Sequence, residues 1–219
     1  MLDFIEKVIY INLAHRTDRK EMIEKELSIF PSEKVIRFEG ISDVYGYIGC
    51  TKSHIGALKV ARAHKWKNVL IVEDDMQWNE LDKSIPRIEQ LASNPYDVIV
   101  FGGGDVVYNE KTNKLFECTL AHCYLVSNHY YSSLINNLEE GLPLLVKTRS
   151  FKHANDQYWK RLQRKDSWYI VQPPAAVQRL TYSDNEKRQT VFAMSCGKVI
   201  SNTGLPPRKI LGFVKRIKK

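Results

Sequence analysis

The residues most able to do chemistry are three adjacent carboxylates at the end of an apolar run. Residues 69–72 are aliphatic, and Glu73, Asp74 and Asp75 follow them directly. Such a run predicts a buried strand of a parallel sheet, and ligands bind at the carboxyl ends of those strands. Neighbouring carboxylates repel one another unless a cation lies among them, and Mn²⁺ or Mg²⁺ binds such oxygens together with substrate phosphates. The stretch therefore indicates a metal-bridged phosphate site, with a solvated acidic loop as the alternative.

Strands and helices alternate on both sides of this acidic motif. Residues 7–13 and 35–38 predict strands, and a helix over residues 19–27, capped by Thr17 or Asp18, lies between them. A Gly- and Tyr-rich connection over residues 40–49 follows, and then a helix that opens at Ser53 and His54 and runs to Trp66. After the acidic strand, the sequence predicts a helix over residues 85–91 and a strand over residues 97–101. This order is typical of an α/β domain with a mainly parallel sheet.

The second half of the chain has a weaker pattern. Residues 120–126 predict a strand, residues 130–138 predict a helix, and the chain from Gly141 onward is expected to be rich in loops. The four cysteines form no C-x-x-C pair, so we expect reduced, packed thiols, with a Cys118–Cys123 disulfide as the alternative.

Charge and composition describe an ordinary globular body with a basic tail. The chain of 219 residues is 43% hydrophobic and 26% charged, which excludes a disordered protein. The net charge is +8, but six positive charges lie in residues 208–219, which leaves +2 for residues 1–207. In this tail, apolar residues recur at helical spacing between the cations, so it could contact an anionic membrane surface or be a solvated end. We expect a cytoplasmic protein, with peripheral contact to the membrane face as an option.

Two arginines follow the first strand. The guanidinium groups of Arg16 and Arg19 are suited to binding phosphate or the edge of a base. The alternative is a surface helix start with ion pairs to Asp18, Glu21 or Glu24.

Other polar candidates are individually weak. Ser53 can be a helix cap and His54 a core or surface imidazole. Asp105 follows three glycines, residues 102–104, that permit close backbone approach to a ligand or form a plain loop. Asp156 precedes an aromatic pair and can begin a helix or act as a base.

In this order, the motifs resemble the family 25 glycosyltransferases, which include bacterial lipooligosaccharide galactosyltransferases. Residues 8–19 are similar to that family's first strand and R-x-D-R turn, and residues 49–54 to its G-C-x-x-S-H helix start. Residues 72–75 match its strand ending in E-D-D, and residues 122–127 resemble its A-Y-L-V-S strand. Asp156 stands where the family has a late acidic residue, although the residues around it depart from the family pattern.

The resemblance implies a GT-A fold, a Rossmann-like and mainly parallel sheet flanked by helices in a single domain of residues 1–207. Residues 1–105 would be the nucleotide-sugar-binding half, residues 106–207 the acceptor-side half, and residues 208–219 the tail. The implied activity is a metal-dependent, inverting transfer of a hexose from a UDP-sugar to a hydroxyl of a glycan or glycolipid acceptor.

The resemblance also suggests roles for the acidic motif and the first strand. Asp75, with Glu73, would bind Mn²⁺, or Mg²⁺ in its place. Asp74 or Glu73 would bind ribose or a metal-bound water. Because neighbouring strand residues point to opposite faces, we expect Glu73 and Asp75 on one face and Asp74 on the other. Asn12 and Leu13 would line the base pocket through backbone contacts.

The remaining roles complete a transferase site. Arg16 and Arg19 would contact the nucleotide, and Ser53 and His54 would lie near the donor sugar. Asp156 would be the base that takes the acceptor's proton, with His122 and His153 as weaker alternatives.

Three other functional classes are compatible with parts of the sequence. A nucleic-acid-binding protein is disfavoured because the basic residues lie mostly in one tail and no binding motif is present, so no nucleic-acid partner is expected. A metal-dependent phosphohydrolase or nucleotidyltransferase needs the same acidic strand end. A catalytically inactive GT-A-like binding module is the third alternative.

Overall fold

The computed structural model describes residues 2–179 and four short strands beyond them. The helices and strands of residues 2–179 are β1 (Lys7–Asn12), α1 (Thr17–Glu26), β2 (Val35–Glu39), α2 (Gly46–His64), β3 (Asn68–Glu73), β4 (Met76–Trp78), α3 (Leu81–Ala92), β5 (Val98–Val100), β6 (Gly104–Asn109), β7 (Leu115–Thr119), β8 (Cys123–Ser127), α4 (Tyr131–Thr148), α5 (Asn155–Tyr158), α6 (Lys160–Lys165), β9 (Trp168–Ile170) and β10 (Ala176–Gln178). The later strands are β11 (Tyr182–Ser183), β12 (Arg188–Gln189), β13 (Lys198–Ile200) and β14 (Arg208–Lys209).

A central six-stranded sheet has the order β2-β1-β3-β8-β5-β9. Three of its five strand pairs are parallel, and β8 is antiparallel to both of its neighbours, so the sheet is mainly parallel as predicted. The chain passes from β1 to β2 on one side and then returns to β3 on the other side of β1. This reversal makes a topological switch point between the carboxyl ends of β1 and β3, the position at which open α/β sheets bind ligands.

Helices cover both faces of this sheet, which buries its aliphatic residues on each side. Helix α1 packs on one face through Ile23, and Ile23 and the following residue Leu27 share a core with Val8 and Leu70. Helices α2 and α4 pack on the other face, where Leu58 of α2 lies in the second core. Burial on both faces explains why β3 has an uninterrupted apolar sequence rather than an alternating one.

Helix α2 begins earlier than the sequence predicts. It starts at Gly46 rather than at Ser53 and His54, so these two residues lie in its interior. The glycines that made residues 40–49 look like a loop serve a packing role instead. A Cβ atom on Gly49 would lie 2.3 Å from the carbonyl oxygen of Ile41, so only glycine lets the helix pack this closely against the preceding loop.

Over residues 141–179, the described part of the region after Gly141, most of the chain is helical or in strands, so the prediction of a loop-rich chain was wrong there. Helix α4 continues to Thr148, and α5, α6 and β9 follow it. Gly141 and Pro143 both lie inside α4. A Cβ atom on Gly141 would lie 2.7 Å from the ring of Tyr158, so this glycine accommodates a close contact between α4 and α5.

Several smaller predictions also need correction. Arg16 is the N-terminal boundary residue of α1 and no side chain caps the helix, so neither Thr17 nor Asp18 is the cap. The predicted strand over residues 120–126 begins only at Cys123. Cys118 and Cys123 are free thiols, which excludes the alternative of a disulfide between them.

Two findings concern the membrane prediction. Among the described residues, no helix combines the length and the apolar character needed to cross a bilayer. Residues 210–219, which carry most of the predicted amphipathic tail, lie outside the described residues.

Candidate active site

A cleft of about 200 Å³ opens at the switch point between β1 and β3. The carboxyl end of β1 contributes Leu13, and the loop after β2 contributes Asp43. Helix α2 forms another wall, which includes His54. All three carboxylates of the acidic motif line the cleft, and Gln178 of β10 lies there as well. The acidic motif therefore lies in a concave site rather than in a solvated loop.

Asp74 is held by an arginine and an amide. Arg19, at the start of α1, donates from Nη1 to Asp74 Oδ1 at 2.8 Å, and Asn12 donates from Nδ2 to Asp74 Oδ2 at 2.8 Å. Arg37 in turn donates to the Asn12 side-chain oxygen at 2.8 Å. Burial raises the pKa of Asp74, and the Arg19 charge and the two hydrogen bonds oppose that shift. Asn12 therefore acts through its side chain, which positions Asp74.

Asp75 has one satisfied oxygen and one that is buried without a partner. Oδ2 accepts from Arg19 at 3.2 Å and from Gln178 at 3.1 Å. Oδ1 is buried and has no hydrogen-bond partner among the described residues. Burial and the neighbouring Glu73 charge raise the pKa of Asp75 to about 7. A buried carboxylate oxygen without a partner, on a residue that lines a cleft, is an unfavourable arrangement unless a cation binds there.

The predicted alternation of the three side chains was wrong. Asp74 and Asp75 both contact Arg19, whereas Glu73 contacts His54 of α2. The reason is that β3 ends at Glu73, and the next two residues lie in a turn, where the two-residue period of a strand no longer applies.

Glu73 and His54 belong to a second polar network. His54 Nε2 lies 3.0 Å from Glu73 Oε1, and Nδ1 lies 2.8 Å from the Tyr124 hydroxyl. Cys50 Sγ lies 3.7 Å from the same Glu73 oxygen. Burial disfavours the ionised form of Glu73, but the hydrogen bond and charge of His54 outweigh it and lower the pKa. Glu73 is thus held as a carboxylate at the base of the cleft.

Ser53 is neither a helix cap nor a free hydroxyl. Its Oγ donates to the Gly49 carbonyl at 2.7 Å and accepts from the Ile41 backbone N–H at 2.8 Å. It therefore ties the loop over residues 40–43 to α2, and both segments line the cleft.

Asp156 is buried and does not line the cleft. It is the second residue of α5, where Oδ2 accepts from the Leu120 backbone N–H at 3.0 Å and the buried Oδ1 has no partner among the described residues. The preceding residue, Asn155, donates its backbone N–H to Thr51 of α2 at 3.2 Å. Burial raises the pKa of Asp156, the Leu120 hydrogen bond opposes it, and the Glu73 charge adds to it.

The remaining candidates are less central. Leu13 lines the cleft, but Arg16 pairs with the exposed Asp18 at 2.8 Å. Asp105 is exposed and does not line the cleft. The backbone approach expected at the adjacent glycines is made by the protein itself, since a Cβ on Gly102 would lie 1.9 Å from the Ala176 carbonyl oxygen.

Sequence reasoning missed five cleft residues with polar side chains, which are His15, Ser42, Asp43, Cys50 and Gln178. Gln178 lies 103 residues from Asp75 and belongs to a strand of three residues, so no local pattern could have placed it there. Cys50 had a usable signal, because Cys50 and His54 are four residues apart and therefore share one face of a helix.

The donor set fits a hard divalent cation. Mn²⁺ and Mg²⁺ prefer carboxylate oxygens, and the buried Asp75 Oδ1 is an available oxygen of this kind. Asp74 and Glu73 line the same cleft and are able to bind an ion directly or through water.

Comparison with known proteins supports the fold. No protein-family model and no curated protein matches the chain. Among solved structures, it is similar to a glycosyltransferase involved in the glycosylation of the major capsid of PBCV-1, with 10% identity and a TM-score of 0.50 over 76% of this chain and 81% of that chain.

Two further structures are more weakly similar. They are A197 from STIV, with 12% identity and a TM-score of 0.46 over 86% and 96% of the two chains, and GlyE of Streptococcus pneumoniae TIGR4, with 11% identity and a TM-score of 0.44 over 77% and 45%. The first likeness, together with the sheet topology, confirms a GT-A-type glycosyltransferase fold. It does not distinguish family 25 from other glycosyltransferases.

Proposed function

We propose that this protein is a metal-dependent glycosyltransferase that moves a hexose from a UDP-sugar to a hydroxyl of a glycan or glycolipid acceptor, with inversion. The observation that carries the proposal is the buried and unpartnered Oδ1 of Asp75, in a cleft at the switch point of a GT-A-type sheet. A fold alone does not define an activity, so the argument depends on this site.

The part of the cleft that contains the acidic motif, residues 73–75, suits a nucleotide diphosphate bound through a metal ion. We assign Mn²⁺, or Mg²⁺ in its place, to Asp75 with Glu73 as the second ligand, and Asp74 to ribose or a metal-bound water. When bound, such an ion neutralises charge on the diphosphate leaving group. Arg19 already contacts Asp74 and Asp75, so it fixes both carboxylates from the α1 side of the cleft.

Asp156 is the proposed base. In an inverting transfer the acceptor hydroxyl attacks the anomeric carbon, the bond to the UDP oxygen breaks, and the hydroxyl proton passes to a carboxylate. Burial raises the pKa of Asp156, which brings its proton affinity closer to what a base needs near neutral pH. Helix α5 is tied to α2 by the hydrogen bond from the Asn155 backbone N–H to Thr51.

An aromatic rim beside the cleft suits a glycan acceptor. Tyr45 directly precedes the cleft residue Gly46, and its ring lies 5.9 Å from that of Tyr47. The ring of Phe151, which is 54% exposed, lies edge-on to Tyr47 at 6.2 Å. Tyr45 and Tyr47 are half-buried, and the Arg149 guanidinium lies over the Tyr45 ring at 4.6 Å. The exposed ring of Phe151 is therefore the apolar face on which an acceptor sugar can stack, and we place the acceptor here.

The test is calorimetric titration of UDP with and without Mn²⁺, on the wild type, Asp75→Ala and the control Asp82→Ala. Asp82 is an exposed carboxylate in the first turn of α3, outside the cleft. We expect Mn²⁺-dependent UDP binding in the wild type and in Asp82→Ala, and at least roughly tenfold weaker binding in Asp75→Ala, since a ligand costs at least as much as an outer-shell partner.

Turnover then separates the enzymatic alternatives. UDP release from UDP-hexoses that depends on an added acceptor supports transfer. Release that is independent of any acceptor would identify a phosphohydrolase instead. Metal-dependent UDP binding without turnover of any UDP-hexose would identify a binding module, and equal UDP affinity of wild type and Asp75→Ala would refute the metal assignment.

A further inference from the structure

Three residues of different chemistry converge at the base of the cleft. Cys50 and His54 lie one helical turn apart on α2, and Glu73 ends β3 opposite them. The Cys50 Sγ, a ring nitrogen of His54 and a carboxylate oxygen of Glu73 all lie within 4.8 Å of one another. Cys50 is part of the G-C-x-x-S-H motif, but its thiol was assigned no function from the sequence, and the proposed transfer reaction does not use it.

We propose that Cys50, His54 and Glu73 form a second metal site, which binds thiophilic ions such as Zn²⁺, Cd²⁺ and Co²⁺. A thiolate, an imidazole and a carboxylate are a donor set that Zn²⁺ accepts, whereas Mn²⁺ and Mg²⁺ prefer oxygen ligands alone. This site differs from the proposed Mn²⁺ site at Asp75 in its ligand chemistry, and the two share Glu73.

Two of the three ligand–ligand distances lie within about 0.4 Å of those of a tetrahedral site. From the usual zinc–ligand bond lengths, a tetrahedron places nitrogen and oxygen ligands about 3.4 Å apart, and sulfur and oxygen ligands about 3.6 Å apart. The structure has 3.0 Å between His54 Nε2 and Glu73 Oε1, and 3.7 Å between Cys50 Sγ and the same oxygen. The nitrogen–oxygen edge has to lengthen by about 0.4 Å, and the sulfur–nitrogen edge is at most 4.8 Å.

The far side of His54 already has the partner that a metal-bound imidazole needs. Metal-ligating histidines donate their second ring N–H to an acceptor, which fixes the ring orientation. His54 Nδ1 lies 2.8 Å from the Tyr124 hydroxyl, and the two rings are stacked, so the imidazole is held with Nε2 towards Glu73. A tyrosine hydroxyl both donates and accepts, so it satisfies Nδ1 whether or not an ion is bound.

Binding has a simple proton balance and an open coordination position. The Cys50 S–H bond breaks and its proton passes to water, while His54 coordinates through Nε2 and keeps a proton on Nδ1. Cys50 and His54 both line the cleft, so a fourth ligand, such as water, approaches from the cleft.

Occupation has a functional consequence that rests on the proposed transferase. An ion held by these three residues uses Glu73 as a ligand, so Glu73 is no longer available to the proposed Mn²⁺ site. The ion also lies in the cleft to which we assign the UDP-sugar. Thiophilic ions are therefore expected to inhibit UDP binding in competition with Mn²⁺.

The experiment is a Co²⁺ titration of the full chain in a Cys196→Ser background, followed by the thiolate-to-cobalt charge-transfer band in the near ultraviolet. Cys196 lies outside the described residues and is removed as a competing thiol. We expect the band in this background and in Cys118→Ser, a matched control whose buried thiol lies outside the cluster. We expect Cys50→Ser to lose the band.

Two further variants test the geometry. His54→Gln should weaken Co²⁺ binding by roughly 100-fold or more, because it removes a ligand. Tyr124→Phe should keep the band and bind roughly tenfold more weakly, because it removes only the outer-shell partner of His54.

Three outcomes would overturn the proposal. They are no band in the Cys196→Ser background, a band that persists in Cys50→Ser, and Co²⁺ binding that is unchanged in His54→Gln. Cys50→Ser and His54→Gln are separate tests, so if one of these variants does not fold, the other still decides the proposal. Asp75→Asn should keep the cobalt band while it loses Mn²⁺-dependent UDP binding, so failure of the transferase proposal and failure of this site give different results.

Discussion

The sharpest test of the acidic site is the stability of Asp75→Asn as a function of pH, without metal. In the folded protein the pKa of Asp75 is about 7, against an ordinary value of 3.8. The folded state therefore binds more protons than the unfolded state between about pH 4 and pH 7, and stability falls as the pH rises through this range. At 1.36 kcal/mol per pKa unit, the difference between 3.8 and 7 corresponds to about 4 kcal/mol as an upper limit.

The amide removes this charge but adds a small cost. An Asn side-chain oxygen can still accept from Arg19 and Gln178, while its NH₂ group replaces the unpartnered Oδ1 and costs about 1–3 kcal/mol if it stays unsatisfied. The variant should thus be about 1–3 kcal/mol less stable than wild type at pH 4. At pH 8 it should be more stable by about 1–3 kcal/mol, so the two stability curves cross.

The assay is urea unfolding at pH 4, 6 and 8 in the presence of a chelator, with Asp82→Asn as the control. Asp82 is exposed, so its variant should follow the wild-type curve at a nearly constant offset. Wild-type and Asp75→Asn curves that run parallel over the whole range would refute the argument, because Asp75 would then carry no unfavourable buried charge.

Three further predictions concern catalysis, the acceptor and the tail. Asp156→Asn should keep Mn²⁺-dependent UDP affinity within about twofold but lower transfer by at least roughly 100-fold; wild-type turnover would remove Asp156 as the base. Phe151→Ala should weaken acceptor affinity with little change in UDP affinity. Because the ring is 54% exposed, the free energy of unfolding should change by less than about 1 kcal/mol. Deleting residues 208–219 should weaken binding to anionic vesicles but not to neutral ones. If the full-length and the truncated protein bind anionic vesicles equally, the tail has no membrane role.

The sequence was informative where burial and strand order determine the structure. The aliphatic run before Glu73 predicted a two-sided buried strand, and alternating periodicities predicted the mainly parallel sheet, because both signals are local consequences of a core. The acidic motif could be placed at a ligand-binding edge for the same reason. The resemblance to glycosyltransferases added the GT-A fold, which the solved structure at a TM-score of 0.50 supports.

What could not be predicted depends on contacts between distant segments. Gly49 and Gly141 suggested loops because glycine is a poor helix former, yet each lies in a helix where another segment approaches too closely for a Cβ atom. The directions of the three carboxylates depend on where β3 ends, and a one-residue difference in that boundary changes which side chains share a face. The contact between Gln178 and Asp75 has no local signal at all.

The charge of the cleft gives a physical reason why donor binding should require the metal. When all are ionised, Glu73, Asp74, Asp75 and the contacting Arg19 sum to a charge of −2, so a diphosphate that approaches the metal-free cleft meets net repulsion. One divalent cation neutralises this group, and inside a poorly solvated cleft that change alters the interaction with a dianion far more than it would in water. Arg19 alone offsets only one of the three carboxylates. Metal-free UDP binding should therefore be weak even though an arginine lies in the site, and strong UDP binding to the chelated protein would contradict this electrostatic account.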